Sequence, residues 1–546
     1  MDKITYYFST QGISIKTITQ NRLILLVSAF LLFTGNLSFF TQTMRIYPPT
    51  VDNIGFLLSL AILFIGLNLF LFTLFSSKYT TKPLLILVLV VSSLTAYFMD
   101  TYHVVIDTGM IRNALQTNLA ESSDLLSVKL IGYLLLLGIL PSYLVYRSSV
   151  TYPGFKQAVI EKVLMLLLSV GVMAGSMYLF SKHYTSFIRE HKPLRYHANP
   201  SYWIYSIVKY VNKIYFDGPV ILQPVGRDAV IDRNQSKKLV IMVVGEAARA
   251  DHFSLNGYSK LTNPELSKLD IINYPQFYSC GTSTAASVPC MFSKFGRKAF
   301  DYKKGIGYEN VLDILSHTGK VSLLWRDNNS DSKGVALRIP YQDYKTSKNN
   351  TICSADGSEC RDSGMLVGLD RYIAEQNSSS ILIVLHQMGN HGPAYYKRYP
   401  EAFTHFKPVC QTNQLEQCSR EEIGNAYDNA LRYSDAFLAK SISFLQCYDG
   451  EYQTALIYMS DHGESLGEKG VYLHGMPYFM APDAQKHIGT FLWLGKSMQQ
   501  HYAVGKLKKD ATRRHTHDAL FHTLLGLFGV QTKVYSPQLD LLHVAR

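Results

Sequence analysis

The stretch Leu239-Val240-Ile241-Met242-Val243-Val244-Gly245-Glu246 decides the fold of the second half of this 546-residue chain, together with Ala455-Leu456-Ile457-Tyr458-Met459-Ser460-Asp461-His462-Gly463-Glu464. Each is a short apolar run that ends in groups able to bind a metal. Such runs, without polar alternation, read as strands buried on both faces. Val321–Trp325, Ile381–His386 and Phe491–Leu494 have the same form. Between the third and fourth of these five strands, Ile423, Tyr427, Ala430, Phe437 and Leu445 recur at helical spacing, with Ser434 and Ser441 in the same stripe. Strand–helix alternation predicts an α/β domain with a mostly parallel sheet sandwiched by helices. In such sheets, sites gather at the carboxyl ends of the strands. Glu246, Arg326-Asp327, His391 and Asp461-His462 all fall just beyond predicted strands.

A third chemical point is the segment Cys280-Gly281-Thr282-Ser283-Thr284-Ala285-Ala286-Ser287-Val288-Pro289-Cys290. A carboxylate, an Asp-His pair and a hydroxyl at strand ends suit a hydrolytic metal such as zinc, which would turn the hydroxyl into a nucleophile. Adjacent acid and imidazole ligands reach one cation only if the backbone bends sharply, and Gly463 is expected to permit that. The bland alternatives are a helix cap or ion-pair partner at Glu246 and a structural His at 462. Further pocket pieces are Trp325 to Lys333 (with Ser330), His386 to Pro393, and His474 with Gly475. Lys333 and Arg326 could hold a phosphate, by charge and by bidentate hydrogen bonding respectively. His391 and His474 could bind a second metal, donate a proton to a leaving group, or do neither.

The first half differs in kind. Five long apolar runs, at about 23–40, 55–75, 84–99, 128–146 and 163–180, are each near the length of about 20 residues that crosses a bilayer as a helix. Buried soluble helices would show an amphipathic stripe, which these lack. Lys3, Lys16, Arg22, Lys78, Lys82, Arg147, Lys156 and Lys162 flank alternate ends of the runs. Arg45, Arg112 and Lys129 stand in the other loops, the latter two diluted by Asp100, Asp107, Glu121 and Asp124. The positive-inside rule then places the N-terminus inside and everything after Phe180 outside. The first run lacks the layout of a cleaved signal, so it is expected to stay as an anchor. These runs predict a transmembrane domain at 1–180, a connector at 181–236 and an exported catalytic domain at 237–546. The connector interleaves aromatics such as Tyr202 and Trp203 with Lys192 and Arg195, as interfacial helices on lipid headgroups do; a linker packed on the soluble domain is the alternative.

All seven cysteines follow residue 279, which fits an oxidising compartment. Six stand as close neighbours, at 280/290, 353/360 and 410/418, with Cys447 left over. Sequence alone leaves the connectivity open. The formal charge of +12 suits membranes and acidic phosphorylated lipids. No nucleic-acid motif is present, so no nucleic-acid partner is expected.

Taken together, Val244 to His252, Asn256 to Tyr258, Ser279 to Ala285, Ser287 to Cys290, Trp325 to Ser330, His386 to Pro393 and Ser460 to Gly467 closely resemble the phosphoethanolamine transferases of Gram-negative inner membranes. That family includes chromosomal lipid A modifiers and transferable colistin-resistance enzymes. The resemblance covers nearly the whole chain. It implies five membrane helices ahead of a periplasmic domain of alkaline phosphatase/sulfatase-like fold, with one or two zinc ions. It also implies Glu246, Thr284, Asp461 and His462 as zinc ligands, and Thr284 rather than Thr282 as the nucleophile. His391, His474, Lys333 and Ser330 match substrate or second-metal positions. Asn113, Thr117 and Glu121, on one helix face by their spacing, resemble the family's segment for the donor headgroup. The family's bridges imply pairs 280–290, 353–360 and 410–418.

The implied reaction moves phosphoethanolamine from phosphatidylethanolamine to a lipid A phosphate through a covalent threonine, releasing diacylglycerol and conferring polymyxin and colistin resistance. The chain is expected to act as a monomer in the Gram-negative inner membrane. Competing readings are a transferase of phosphoethanolamine or phosphoglycerol acting on another envelope glycan, and a non-catalytic membrane protein that binds lipid headgroups. A sulfatase would need a Cys-x-Pro-x-Arg motif, which is absent.

Overall fold

The computed structural model describes residues 17–116, 124–215, 221–232, 235–354, 357 and 359–545. It divides into two compact units. One comprises Met1–Thr101 with Val128–Ser206, the other Tyr102–Ser127 with Ile207–Arg546. The stretch 102–127, which lies between two apolar helices in sequence, thus folds with the second unit.

The first unit is built from apolar helices. α1 (Gln20–Gly35) and α2 (Leu37–Ile46) form one pair, followed by α3 (Val51–Phe75) and α4 (Thr81–Thr101). After α5 (Thr108–Gln116) of the second unit come α6 (Val128–Arg147) and α7 (Phe155–Leu179). Among the described residues, four helices are long and apolar enough to cross a membrane, and the α1–α2 pair, bent by 60°, makes a fifth span if it counts as one. The first predicted span, drawn straight over 23–40, is therefore broken at Asn36. The break is filled by amides. Asn36 Nδ2 donates to the carbonyls of Leu31 (2.9 Å) and Asn199 (2.7 Å), and Asn199 Nδ2 donates to those of Gly35 (3.1 Å) and Ser92 (3.0 Å). Carbonyls freed by a bend at membrane depth need such partners, because lipid supplies none. α7 begins eight residues before its apolar run, since hydropathy marks the greasy part of a helix and not its first turn. α8 (Ser181–Glu190) and α9 (Ser201–Tyr215) occupy the stretch read as a connector, and the division between the units falls within α9.

The second unit contains a seven-stranded sheet of β1 (Lys238–Gly245), β2 (Ile271–Asn273), β3 (Val321–Asp327), β4 (Tyr341–Asp343), β5 (Ser380–His386), β6 (Gln453–Ser460) and β7 (Thr490–Leu494). Their order is β2-β7-β6-β1-β5-β3-β4. β6, β1, β5, β3 and β4 run parallel, and β7 pairs antiparallel with both β6 and β2. All five predicted strands are present. The two edge strands were missed because three-residue strands carry no periodic signal.

The central strands are apolar throughout because both faces are covered. Val240, Met242 and Val244 pack with Val288 of α10 (Thr284–Met291), Leu312 of α11 (Val311–His317), and Leu520 and Leu524 of α13 (Asp518–Leu527). Against β6 lies α12 (Arg420–Gln446), started by a Ser419/Glu422 capping box and burying Ile423, Tyr427, Ala430, Phe437, Leu445 and the two small serines 434 and 441. Disulfides join Cys280–Cys290, Cys353–Cys360 and Cys410–Cys418, and Cys447 is free and exposed.

Ile383 of β5 has no solvent exposure. Ile383→Ala is expected to destabilise the second unit by about 2–5 kcal/mol, read as a lower denaturation midpoint.

Candidate metal centre and active site

The parallel register puts Gly245 beside Ser460, and both Val244 and Asp327 beside His386. The residues that follow β1 and β6 are therefore neighbours. Glu246, Asp461 and His462 are fully buried or nearly so, and offer ligand atoms that all lie within 4.8 Å of one another. His462 Nε2 is 3.4 Å from Glu246 Oε1 and 3.4 Å from Asp461 Oδ2. Thr284, the first residue of α10, points its Oγ1 at Glu246 Oε2 (3.1 Å) and His462 Nε2 (3.4 Å). Thr282 does not join them, because its hydroxyl donates to the carbonyl of Met476 at 2.5 Å.

The protonation pattern of this quartet fits a cation. His462 Nδ1 donates to the carbonyl of Gly463 (2.8 Å), which leaves Nε2 as the lone-pair nitrogen facing the carboxylates. Burial pushes the imidazole down to about 4, against the opposing pull of Asp461, so the ring is neutral. Asp461 Oδ1 accepts from the amides of Ala247 and His462, whereas Oδ2 accepts no hydrogen bond among the described residues. Two carboxylate oxygens, one imidazole lone pair and a hydroxyl close around one buried point are four donors of the kind zinc takes.

Local backbone features hold the quartet. Ala247 has φ +55°, an uncommon conformation immediately after a ligand position. Gly463 was expected to supply a sharp bend, but it has no left-handed φ. It is required by close approach, since a Cβ there would lie 2.1 Å from the carbonyl oxygen of Ala484. Cys280 is bonded to Cys290 across the start of α10, and its amide donates to His517 Nδ1 at 3.0 Å. His517 Nε2 in turn donates to the carbonyl of Ser460 at 2.8 Å. The loop from Cys280 to Thr284 and the end of β6 are thus joined through one buried imidazole.

Beside the quartet stands a second cluster. Glu464 accepts at Oε1 from the Tyr395 hydroxyl (2.7 Å) and at Oε2 from His474 Nδ1 (2.7 Å). The His474 ring centroid is 4.3 Å from that of His462 and 5.8 Å from that of His391. Glu464 and His474 form a further metal-capable group with His462. Ser330 and Lys333 connect through Asn329, whose Nδ2 donates to Glu246 Oε2 at 2.8 Å and whose Oδ1 accepts from the Ser330 amide and hydroxyl. Lys333, buried and at φ +49°, reaches the Ser330 carbonyl (3.4 Å).

Arg326 departs from expectation. Its guanidinium donates to Gln342 and to the carbonyls of Met365 and Val367, and it lies over the Tyr344 ring, so it holds structure and not a phosphate. Asn113 of α5 lines a cavity of about 270 Å³ whose walls include Thr282, Ser283, Arg112 and Arg297. Thr117 and Glu121 lie outside the described residues. Sequence reasoning missed Tyr395 and His517, and left Asn329, within the Trp325–Lys333 piece, and Glu464 without roles of their own. Only these two carried a signal, Asn329 in that piece and Glu464 next to the Asp-His pair.

Two outcomes test this geometry. Asp461→Asn should sharply lower the zinc retained by purified protein, measured by elemental analysis. Burial also holds His517 down at about 4, against 6.5 for an exposed imidazole. The unfolded chain therefore binds the extra proton first, and the stabilisation is complete above pH 6.5 and lost as pH falls towards 4. Melting temperature should fall over that window, less steeply in His517→Gln; an equal slope in both proteins would rule the assignment out.

Comparison with known proteins places this geometry among relatives. Residues 238–530 match the family model described as Sulfatase, and residues 64–215 match Phosphoethanolamine transferase EptA/EptB. Phosphatidylethanolamine transferase Mcr-2 of Escherichia coli is 46% identical over 515 residues, covering 92% of this chain and 94% of that protein. Phosphoethanolamine transferase EptA of E. coli strain K12 is 36% identical over 533 residues, 96% of each. The integral membrane protein lipooligosaccharide phosphoethanolamine transferase A (EptA) from Neisseria meningitidis superposes with a TM-score of 0.93 at 33% identity, covering 97% of this chain and 99% of that one.

Proposed function

The chain belongs to the phosphoethanolamine transferase family, and we propose that it moves phosphoethanolamine from phosphatidylethanolamine to a phosphate of lipid A through a covalent intermediate on Thr284. The observation that carries this reading is the convergence of Glu246, Thr284, Asp461 and His462 on one buried point. Zinc held by these four would lower the pKa of the Thr284 hydroxyl and neutralise charge on the phosphoryl oxygens. A second ion would find His462, Glu464 and His474.

In the first displacement, Thr284 Oγ1 gives up its proton and forms the bond to phosphorus as the bond to the diacylglycerol oxygen breaks. Glu246 Oε2, 3.1 Å from Oγ1, fixes the direction of the hydroxyl before the proton leaves. Position at the first turn of α10 further favours negative charge on Oγ1. The Thr284 proton leaves to solvent, and the diacylglycerol oxygen takes one up; His474 would supply it from Nε2 as the imidazolium, with Nδ1 held by Glu464, which Tyr395 also bonds. In the second displacement, an acceptor phosphate oxygen attacks the phosphorus, the Thr284–phosphorus bond breaks, and Oγ1 is reprotonated. Lys333 and Ser330 would hold non-reacting phosphate oxygens, and Asn113, Thr117 and Glu121 the donor headgroup.

The substrates, both lipids, suit a chain with an apolar helical unit. The loop charges support an inner-membrane location with the sheet domain in the periplasm. Adding an ethanolamine cation offsets acceptor charge and weakens attraction for cationic peptides, hence polymyxin and colistin resistance.

Lipid A from cells expressing wild type should show the phosphoethanolamine mass increment and raised colistin tolerance. Thr284→Ala should abolish both. Equal modification by the mutant would eliminate the nucleophile assignment, whereas an increment on another glycolipid alone would reject the acceptor and leave the chemistry standing.

A further inference from the structure

The segment 102–127 is anchored to the second unit on both sides of α5. Before α5, the Tyr102 carbonyl accepts from the Tyr472 amide at 3.3 Å, and the Tyr102 hydroxyl reaches the Asn413 carbonyl at 3.4 Å. After α5, Asp124 is buried to 3% side-chain exposure and accepts from Arg398 Nη2 (2.5 Å) and Lys397 Nζ (2.6 Å). Asn413 Nδ2 adds hydrogen bonds to the carbonyls of Asp124 (2.7 Å) and Leu126 (2.8 Å). Burial alone would push the Asp124 carboxyl up, but the two cations hold it below the usual carboxylate range.

Arg398 is not an arbitrary partner. Its side chain is 2% exposed, and its remaining donors go to Glu359 (Nη1, 2.8 Å) and to the carbonyl of His391 (Nε, 2.7 Å). One guanidinium therefore binds both the segment that carries α5 and the loop that carries His391. Between the anchors, α5 touches α10, whose first residue is Thr284, and stacks the Arg112 guanidinium over the Tyr302 ring at 3.9 Å. Asn113 faces the cavity there, and Thr117 and Glu121 lie between α5 and Asp124 in sequence.

We propose that Asp124 is a positioning residue for the lipid donor, whose ion pair with Arg398 anchors the chain beyond α5 so that α5 presents Asn113 to the cavity lined by Thr282 and Ser283. This rests on the donor reading given above. The pair touches no reacting atom; it acts by fixing where the headgroup contacts stand. A buried charge left without its partner is strongly unfavourable, so loss of either member displaces the segment and does not leave it in place.

The test uses the full-length protein in detergent micelles with phosphatidylethanolamine, following diacylglycerol release. Asp124→Asn should raise KM for the donor about tenfold, the scale of one lost hydrogen-bonding contact to the headgroup, with a smaller effect on kcat and normal zinc content. Asp124→Glu, which keeps the charge, should recover most of the loss. Should Asp124→Asn fold poorly, Lys397→Gln removes only the partly exposed cation, and about a twofold rise in KM is expected. A fall in kcat at unchanged KM, or wild-type KM in both Asp124→Asn and Lys397→Gln, would overturn the proposal. Absence of diacylglycerol release from wild type would instead strike down the donor reading, and this proposal with it.

Discussion

Two carboxylates and an imidazole lone pair held around one point inside the protein set the terms for the rest of the second unit. The ligand atoms of Glu246, Asp461 and His462 lie within 4.8 Å of one another, out of water. Two like charges at that separation repel by about 3 kcal/mol even at an effective dielectric constant of 20. The arrangement is tolerable only with compensation. Part of it is visible in the amides of Ala247 and His462 on Asp461, and in Asn329 on Glu246. The remainder is the natural place of a divalent cation. Two carboxylates, an imidazole nitrogen and a hydroxyl are a donor set of the kind zinc takes.

The sheet is what can hold such a site together. β1 and β6 are adjacent and parallel, so their last residues end side by side and the ligands after them need no long loops. Their apolar side chains anchor the backbone on both faces, which gives the loops a rigid base. The disulfide at Cys280–Cys290 and the His517 bridge do the same for Thr284, tying the start of α10 to the end of β6 by one covalent link and two hydrogen bonds.

Much of this was legible in the sequence, and the limits have physical causes. Long apolar runs and buried strands announce themselves by hydropathy, since they reflect burial along a continuous stretch. The break at Asn36 does not, because it depends on Asn199, 163 residues away, supplying the second amide. Asp461-His462 stood out as adjacent ligands on a turn, but the role of Gly463 rests on a carbonyl from residue 484. Arg326 illustrates the opposite failure: a guanidinium at a strand end looks like a phosphate clamp, yet three neighbouring acceptors, all distant in sequence, occupy it. Asn329 and His517 act by joining loops, a property no local pattern encodes.

The same distinction bears on where the catalytic unit ends. Along the chain, residues 102–127 are a loop between apolar helices, and its polar residues dilute the charge that orients those helices. In the fold, residues 102–116 and 124–127 belong with the sheet, because Asp124 finds its counter-charge at Arg398 and Tyr102 its partners at Tyr472 and Asn413. A carboxylate this buried has no stable alternative in water-poor surroundings without that cation. The chain must therefore deliver the loop to the domain for either to be satisfied. A catalytic domain expressed from residue 237 onward would carry Arg398 and Lys397 with one anion missing, and would lack the cavity wall that α5 provides. The buried quartet of Glu246, Thr284, Asp461 and His462, built wholly from residues after 245, does not depend on the loop, whereas the cavity wall beside it does.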